Sequence, residues 1–424
     1  MSPQRADSGA PVMPVRIGFA RMGPHPIPNR LLVDALAAEW PGARISVLDL
    51  EARARSDRGA VVRNAPFVAA EHGLELARGL VRPWQAFFST TFMFRWMSHS
   101  ARAWAQAHRF DLTIQIQSLF DARTPEIPHF VYTDHTHLTN LDYPDFDPRR
   151  LRSPRWIGLE RELYRAAHTV FTRSAHVSAS LVDRYGCDPA RIACVGAGSN
   201  ARVPEHPLAR ARTGQEILFV GVDWERKGGS DLAEAFARVR RRHPDATLTI
   251  VGCAPELDQP GCRVVGRCSV DEIHRYYQRA DVFCLPTRRE PFGVAFVEAL
   301  HHGLPVVATR IGAVPDLVHH GVNGFVVEVA DVDGLALHLE RLLGDAALRH
   351  RMGAEGQRRA RDRYTWNAVA RRITETVQSL TGASAGPTSA SGHRRSPSAA
   401  RAPAPVADRG ARIATASIAR SEIS

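Results

Sequence analysis

The sequence predicts an α/β protein with two domains, each built on a parallel β-sheet flanked by helices. Its 424 residues exceed the roughly 250 to 300 at which a single hydrophobic core stops growing. Its 44% apolar content is ordinary for a globular chain. Short apolar runs alternate with amphipathic ones, which is typical of parallel strands joined by helical crossovers.

The first series of runs predicts a Rossmann-like N-terminal domain over residues 13–203. Its strand-like and helix-like segments follow one another as RIGFA, LLVDALAAEW, RISVLDL, LTIQIQ, HFVYTD, VFTRS and SLVDRYG. A stretch containing Pro, Arg and Gly, residues 204–215, then predicts a linker.

A second series, EILFVG, TLTIVG, CRVVG, DVFCLP, PVVATR and GFVVE, predicts a Rossmann-like C-terminal domain over residues 216–365. We expect a helix over 366–381 that crosses back toward the first domain. The remaining segment, 382–424, contains six arginines, two acidic residues and much Ser, Ala and Pro, so it predicts a disordered basic tail. Ligands of such sheets bind beyond the carboxyl ends of the strands, here in a cleft between two facing sheets.

Composition also bears on the compartment. No charged-then-apolar signal peptide pattern opens the chain, and no apolar run reaches the roughly 18 residues needed to cross a bilayer. The six cysteines, none before Cys187 and none in a CxxC pair, are typical of free thiols in a reducing compartment. These observations predict a cytoplasmic protein.

The net charge of +11 is compatible with two kinds of anionic partner, nucleic acid and an anionic membrane. Nucleic acid is disfavoured, because no basic cluster is interleaved with aromatic residues. The segment VRPWQAFFSTTFMFRWM places four aromatic residues at helical spacing, namely Trp84, Phe88, Phe92 and Trp96. This stripe is compatible with peripheral contact at the inner face of an anionic membrane. Packing inside the N-terminal domain, or lining an acceptor pocket, is the commoner use of such a stripe.

The most informative segment is 281–327, which reads DVFCLPTRREPFGVAFVEALHHGLPVVATRIGAVPDLVHHGVNGFVV. An apolar strand, a tight turn and a helix from about Val294 to His301 follow one another. The amides of Phe292, Gly293 and Val294 stand unpaired at the start of that helix, where they favour an anion such as a diphosphate.

Two carboxylates flank this anion site. Glu290 lies just before the helix and Glu298 lies on its flank. Carboxylates accept charge-assisted hydrogen bonds from vicinal diols, so one can hold a sugar and the other a ribose. The pattern therefore predicts a sugar-nucleotide site, whereas the bare strand, turn and helix would fit any α/β domain.

Lys227 is the single lysine of a chain whose other basic residues are arginines. It stands in FVGVDWERKGGSDL, between an apolar strand and a helix, beside Arg226. Because an ammonium and a guanidinium are not interchangeable at a phosphate, this position is a candidate diphosphate ligand. In the N-terminal half, His135 follows the strand of HFVYTDHTHLTN, and His137 is the competing assignment.

The string EPFGVAFVEALHHGLPVVAT, with two glutamates separated by seven residues, resembles the retaining glycosyltransferases of family 4, also called glycosyl transferases group 1. A coarser likeness extends from about residue 15 to residue 380. The resemblance implies the GT-B architecture of two Rossmann-like domains. It implies that Glu290 contacts the transferred sugar, Glu298 the ribose, Lys227 the diphosphate and His135 the donor sugar.

Two positions depart from that family. Val222 stands where an arginine usually follows the strand glycine, and Arg226 is expected to supply the second positive charge. Only Gly23 remains of a glycine-rich loop that closes on the donor phosphates. Gly266 and Arg267, after the run CRVVG, are also assigned to donor binding.

The function predicted is metal-independent transfer of a sugar from a nucleoside diphosphate sugar, with retention and without a cofactor. The acceptor is a glycan, a lipid-linked compound or a small molecule, bound on the N-terminal side. Two alternatives are a catalytically silent sugar-nucleotide-binding scaffold of a polysaccharide-assembly complex and a same-fold epimerase. A retaining hydrolase fits less well, because the two glutamates flank a phosphate site.

Overall fold

Two six-stranded parallel β-sheets form the framework of the protein, as the alternation of runs predicts. The computed structural model describes residues 15–23, 28–201 and 214–382. All of them belong to one unit of the chain, which ends at Gly386. The predicted tail lies outside the described residues except at Gly382, and so does the predicted linker except at its last two residues.

The first sheet has the strand order β2-β1-β3-β4-β5-β6. Its strands and the helices between them are β1 Val15–Arg21, α1 Pro28–Glu39, β2 Ala43–Asp49, α2 Leu50–Ser56, α3 Arg58–Ala77, α4 Pro83–Phe88, α5 Thr91–His108, β3 Leu112–Ile116, β4 His129–Thr133, α6 Pro154–Ala166, β5 Thr169–Thr172, α7 Ala175–Asp183 and β6 Ile192–Cys194. A 3-10 helix, His137–Asp142, follows β4.

The second sheet has the strand order β12-β11-β10-β7-β8-β9. Its elements are β7 Glu216–Val220, α8 Gly229–Arg242, β8 Thr247–Val251, β9 Cys262–Gly266, α9 Val270–Arg279, β10 Val282–Leu285, α10 Val294–His301, β11 Val306–Thr309, α11 Val314–Leu317, β12 Gly324–Val327, α12 Val332–Gly344, α13 Ala346–Arg363 and α14 Trp366–Thr381.

The central strands are buried on both faces because helices cover each sheet on both sides. Every residue of β3, β4, β5, β10 and β11 is buried. The runs that read as continuously apolar are therefore the sheet centres, and their carboxyl ends meet at one edge of each sheet. The predicted site residues follow such ends.

Helix α14, the last described helix, packs against α1, which belongs to the first sheet. Arg371 donates to Glu39 at 3.3 Å, and the indole nitrogen of Trp366 donates to the Ser199 carbonyl at 2.8 Å. The predicted domain boundaries themselves stay predictions.

The aromatic stripe of the N-terminal half does not form one continuous helical face. The helix breaks after Phe88, and Thr90 caps α5 by accepting from the Met93 amide. Phe88 is buried, whereas Trp84 is 54% exposed. The stripe is thus divided between core packing and surface within α4 itself, where Phe88 faces inward and Trp84 faces solvent.

Candidate functional site

The predicted anion site lies at the turn between β10 and α10. Gly293 adopts a φ of +99°, which L side chains rarely adopt, and it is the residue that precedes the first turn of α10. Helix α10 spans Val294–His301, the bounds that the sequence predicts. Within the described residues, the amides of Phe292 and Gly293 donate to no protein acceptor. The Phe292 ring itself is buried in the core, so only its backbone faces a ligand.

Lys227 and Glu290 come together although 63 residues separate them. The Lys227 ammonium donates to the Glu290 carboxylate, and both side chains are largely buried, with 12% and 6% exposed. The turn after β7 is tied to the loop after β10, because the Arg288 amide donates to the Arg226 carbonyl at 2.9 Å. An ammonium and a carboxylate are therefore held at the edge where α10 begins.

Glu298 lies on the buried flank of α10, separate from that pair. Its carboxylate accepts from the Tyr277 hydroxyl at 2.9 Å and from the Ala201 amide at 3.2 Å. Burial raises the pKa of Glu298 to about 7, although these hydrogen bonds oppose the shift. Its protonation therefore changes near neutral pH.

Arg226 lies beside Lys227, yet its guanidinium is engaged with the protein. It donates to Asp223 at 3.3 Å and to the Arg289 carbonyl at 3.1 Å. Val222, which replaces the expected arginine, is 69% exposed. The role of Arg226 at a phosphate stays a prediction.

His135 and His137 differ in what their rings contact. The Nε2 atom of His137 accepts from the Arg152 amide at 2.8 Å, and burial lowers the pKa of this ring to about 3. The His135 ring stacks on Tyr143 with centroids 6.2 Å apart. Burial also lowers the pKa of His135, so its imidazole is neutral near pH 7. The ring of His137 is used structurally, which leaves His135 as the better candidate.

Three predicted donor residues form no hydrogen bond with the Lys227–Glu290 pair among the described residues. Gly23 follows β1, and its amide donates to Asp49 at 3.2 Å. Gly266 ends β9, the edge strand of the second sheet, and Arg267 follows it and is exposed. In the part of the chain that the structure describes, Arg267 forms no hydrogen bond with the pair, and its role stays a prediction.

Tyr143 and Arg289 are site residues that the sequence does not reveal. Tyr143 is buried, and its hydroxyl has no hydrogen-bond partner among the described residues. A Cβ added at Gly312 would lie 3.3 Å from that hydroxyl and 2.1 Å from the Glu290 carbonyl oxygen. Burial, together with the Glu290 carboxylate, raises the pKa of the Tyr143 phenol. The Arg289 guanidinium lies 5.7 Å from the Tyr143 ring centroid.

The described residues hold no group of three or more His, Cys, Asp or Glu side chains that could bind a metal ion. None of their helices combines the length and apolar character needed to span a bilayer. The predicted metal independence stays a prediction.

Two family profiles match the chain. The profile described as Glycosyltransferase Family 4 matches residues 32–201, and the profile described as Glycosyl transferases group 1 matches residues 214–345. The chain belongs to the family 4 (group 1) glycosyltransferases. Glycogen synthase of Mycobacterium tuberculosis is 32% identical to this chain over 232 residues, 52% of this chain and 55% of that protein. The chain therefore spans about half the length of that relative.

Solved structures resemble this chain over most of its length. Sucrose-phosphate synthase from Thermosynechococcus elongatus has a TM-score of 0.64 at 19% identity, covering 87% of this chain and 100% of that one. Anabaena HepE, in complex with UDP and glucose, has a TM-score of 0.59 at 17% identity, covering 86% and 100%. At these identities the likeness concerns the fold. The fold is GT-B, as predicted.

Proposed function

We propose that this chain transfers a glycosyl group from a nucleoside diphosphate sugar to an acceptor hydroxyl, with retention of configuration and without a metal ion. The observation that carries the proposal is the Lys227–Glu290 pair at the N-terminus of α10. A cation and free amides suit a diphosphate, and a carboxylate suits sugar hydroxyls. The UDP complex of the similar Anabaena protein supports a nucleotide donor.

The geometry supports a separate role for each of these residues in that transfer. Negative charge develops on the leaving diphosphate as the bond to the sugar loosens, so fixed donors at that point lower the barrier most. Lys227 and the first amides of α10 are such donors. Glu290 fixes Lys227 and accepts hydroxyls of the transferred sugar, Glu298 accepts those of the ribose, and neutral His135 faces the donor sugar.

The acceptor is proposed to be a glycan, a lipid-linked compound or a small molecule, in glycan biosynthesis. The name of the similar glycogen synthase favours a polysaccharide. A cytoplasmic location remains part of the proposal. So does peripheral contact with an anionic membrane, which exposed Leu80 and Trp84 beside Arg78 and Arg82 support.

A panel of UDP, GDP and ADP sugars tests the proposal. Stabilisation of the purified protein on heating identifies the donor, and proton spectra of the product give the anomeric configuration. We expect a retained glycosidic bond and loss of the reaction in Lys227→Ala. Donor binding without turnover would favour the silent scaffold, for which Val222 is the supporting observation. A released isomerised sugar would favour an epimerase.

A further inference from the structure

A cavity of about 500 Å³ lies on the N-terminal side of the site and reaches it at Arg289, the residue before Glu290. Its walls come from α3 and α4, from the residue that follows β3, and from the segment 150–153. His137 and Asn140 also line it, next to His135. The cavity therefore opens where an acceptor hydroxyl would have to approach the transferred sugar.

Two guanidinium groups of this cavity have no carboxylate partner. In the part of the chain that the structure describes, neither Arg152 nor Arg289 lies within ion-pair distance of an acidic side chain. Arg152 instead lies 3.9 Å above the Trp156 ring, and the Nε atom of Arg289 is buried without a hydrogen-bond partner. Burial lowers the pKa of Arg152 to about 10, so it is still a cation at neutral pH. Glu160, Glu75 and Glu71 attract Arg152 from beyond ion-pair distance, whereas an anion in the cavity would add direct charge-assisted hydrogen bonds to both guanidinium groups.

Gln117 is a second, independent feature of the same cavity. It follows β3 with a φ of +73°, in the left-handed region that non-glycine residues rarely adopt. Its Oε1 atom is buried and has no partner among the described residues. Backbone strain of this kind persists where a side chain is held for a function. Gln117 thus lines the cavity and holds an acceptor that the described part of the protein leaves unused.

The opposite wall is acidic. Glu71 accepts from the Thr91 amide at 3.0 Å, and Glu75 accepts from His72 at 2.9 Å. Each carboxylate keeps acceptor capacity, since an ionised carboxylate offers about four lone-pair sites. Hydroxyl groups are the ligands that such a wall favours.

We propose that this cavity is the acceptor site and that it binds a polyhydroxylated compound carrying an anionic group, such as a phosphate or a carboxylate. Arg152 and Arg289 bind the anion in bidentate fashion, and Gln117 with the acidic wall binds the hydroxyls. The term acceptor rests on the proposed function. The anion site does not, because it can be tested without any transfer reaction.

Sulfate is the first probe, titrated into the full-length protein at constant ionic strength with chloride as the balancing anion. Wild type is expected to bind sulfate at two places, of which Lys227→Gln removes the donor phosphate site. Arg152→Gln is expected to weaken the other site about tenfold or more, as does Arg289→Gln. Arg155→Gln, an exposed residue of α6, is the matched control and is expected to leave both unchanged.

The second probe separates two sources of the anion. Glycerol 3-phosphate represents a free compound, and vesicles containing phosphatidylglycerol represent a lipid headgroup. Weaker binding of either probe by both Arg152→Gln and Arg289→Gln supports the proposal and identifies the source. Wild-type sulfate affinity in both variants overturns it. If transfer occurs while these variants bind sulfate normally, the proposed function stands and only the anionic acceptor is lost.

Discussion

At the site, the two charged groups of the C-terminal half pair with each other, whereas two buried polar groups of the N-terminal half have no partner. Lys227 and Glu290 satisfy each other across the turn. On the N-terminal side, the Tyr143 hydroxyl and Gln117 Oε1 are buried, and neither has a hydrogen-bond partner in the described chain.

This difference indicates whether the protein or a ligand holds the polar side chains of each half in position. An unsatisfied buried polar group costs roughly 1 to 3 kcal/mol. The donor side is therefore organised by the protein itself before any ligand arrives. We expect ligand hydroxyls to pair with the polar groups of the N-terminal side, so that ligand binding there recovers free energy that folding left unfavourable.

Replacing Lys227, the cation of the Lys227–Glu290 pair, gives the largest expected loss of transfer rate. Lys227→Ala should cost on the order of 2.7 to 4 kcal/mol of transition-state stabilisation, about 100- to 1000-fold in rate. Lys227→Arg should restore only part of the rate, because the guanidinium places its donors differently. Single-turnover transfer rates and unfolding curves check this. The control is Arg310→Ala, an exposed ion-pair partner of Glu328. Wild-type rates in Lys227→Ala would remove this residue from the site.

The two glutamates should separate turnover from affinity. Glu290→Ala should lower turnover about 10- to 100-fold, since a charge-assisted hydrogen bond to the reacting sugar is lost. Glu298→Ala should mainly weaken binding of the nucleoside diphosphate. Calorimetric titration alongside kcat distinguishes them, with Glu328→Ala as a surface control. Equal losses of nucleotide affinity in both variants would contradict the division of roles.

Tyr143→Phe sharpens the comparison, because it removes one hydroxyl that has no partner in the protein. We expect about a tenfold loss of transfer rate or donor affinity, the scale of one hydrogen bond. The free energy of unfolding without ligand should be unchanged or higher. Tyr132→Phe is the contrasting control, since its hydroxyl donates to the Gly196 carbonyl at 2.8 Å and its loss should destabilise the fold. A destabilised but fully active Tyr143→Phe protein would refute this role.

A pH series tests Glu298. Its pKa of about 7 in the folded protein lies above the ordinary value of 4.5, so the protonated form favours folding. Stability from this group is full below pH 4.5 and is lost as pH rises through 7. Ribose hydroxyls prefer the ionised form, so nucleotide affinity should rise up to about tenfold between pH 6 and pH 8. In Glu298→Gln this part of the dependence should vanish. An unchanged pH profile in that variant would place the titration elsewhere.

The smallest expected effect is that of a chelator. Transfer rates should be unchanged in EDTA, because Lys227 and the α10 amides take the place of a metal at the diphosphate. Abolition by EDTA with rescue by manganese would show that the paired side is incomplete on its own.

The sequence predicts the C-terminal part of the site well because its signals are local. The Gly293 turn, the strand before it and the 3.6-residue period define α10, and the strand ends place Lys227 near Glu290. The roles of these residues stay predictions, and the structure adds only their juxtaposition.

The N-terminal part is harder to predict, since its features arise only in the folded chain. Tyr143 lies in an irregular segment, LDYPDF, with no period or motif. The sequence gives no sign of the positive φ at Gln117, because the residue there is not a glycine. Hydrophobic periodicity does not predict the helix break after Phe88, because apolar residues continue on both sides of Thr90.

The packing of α14 on α1 has a consequence for synthesis of the chain. The ion pair between Arg371 and Glu39 spans 332 residues, and Leu36 of α1 and Ile373 of α14 are buried in the same hydrophobic cluster. A ribosome that has completed the first sheet has not yet made the helix that covers α1. We therefore expect that apolar surface to stay open to chaperones until translation is almost finished, and the native N-terminal half to mature last.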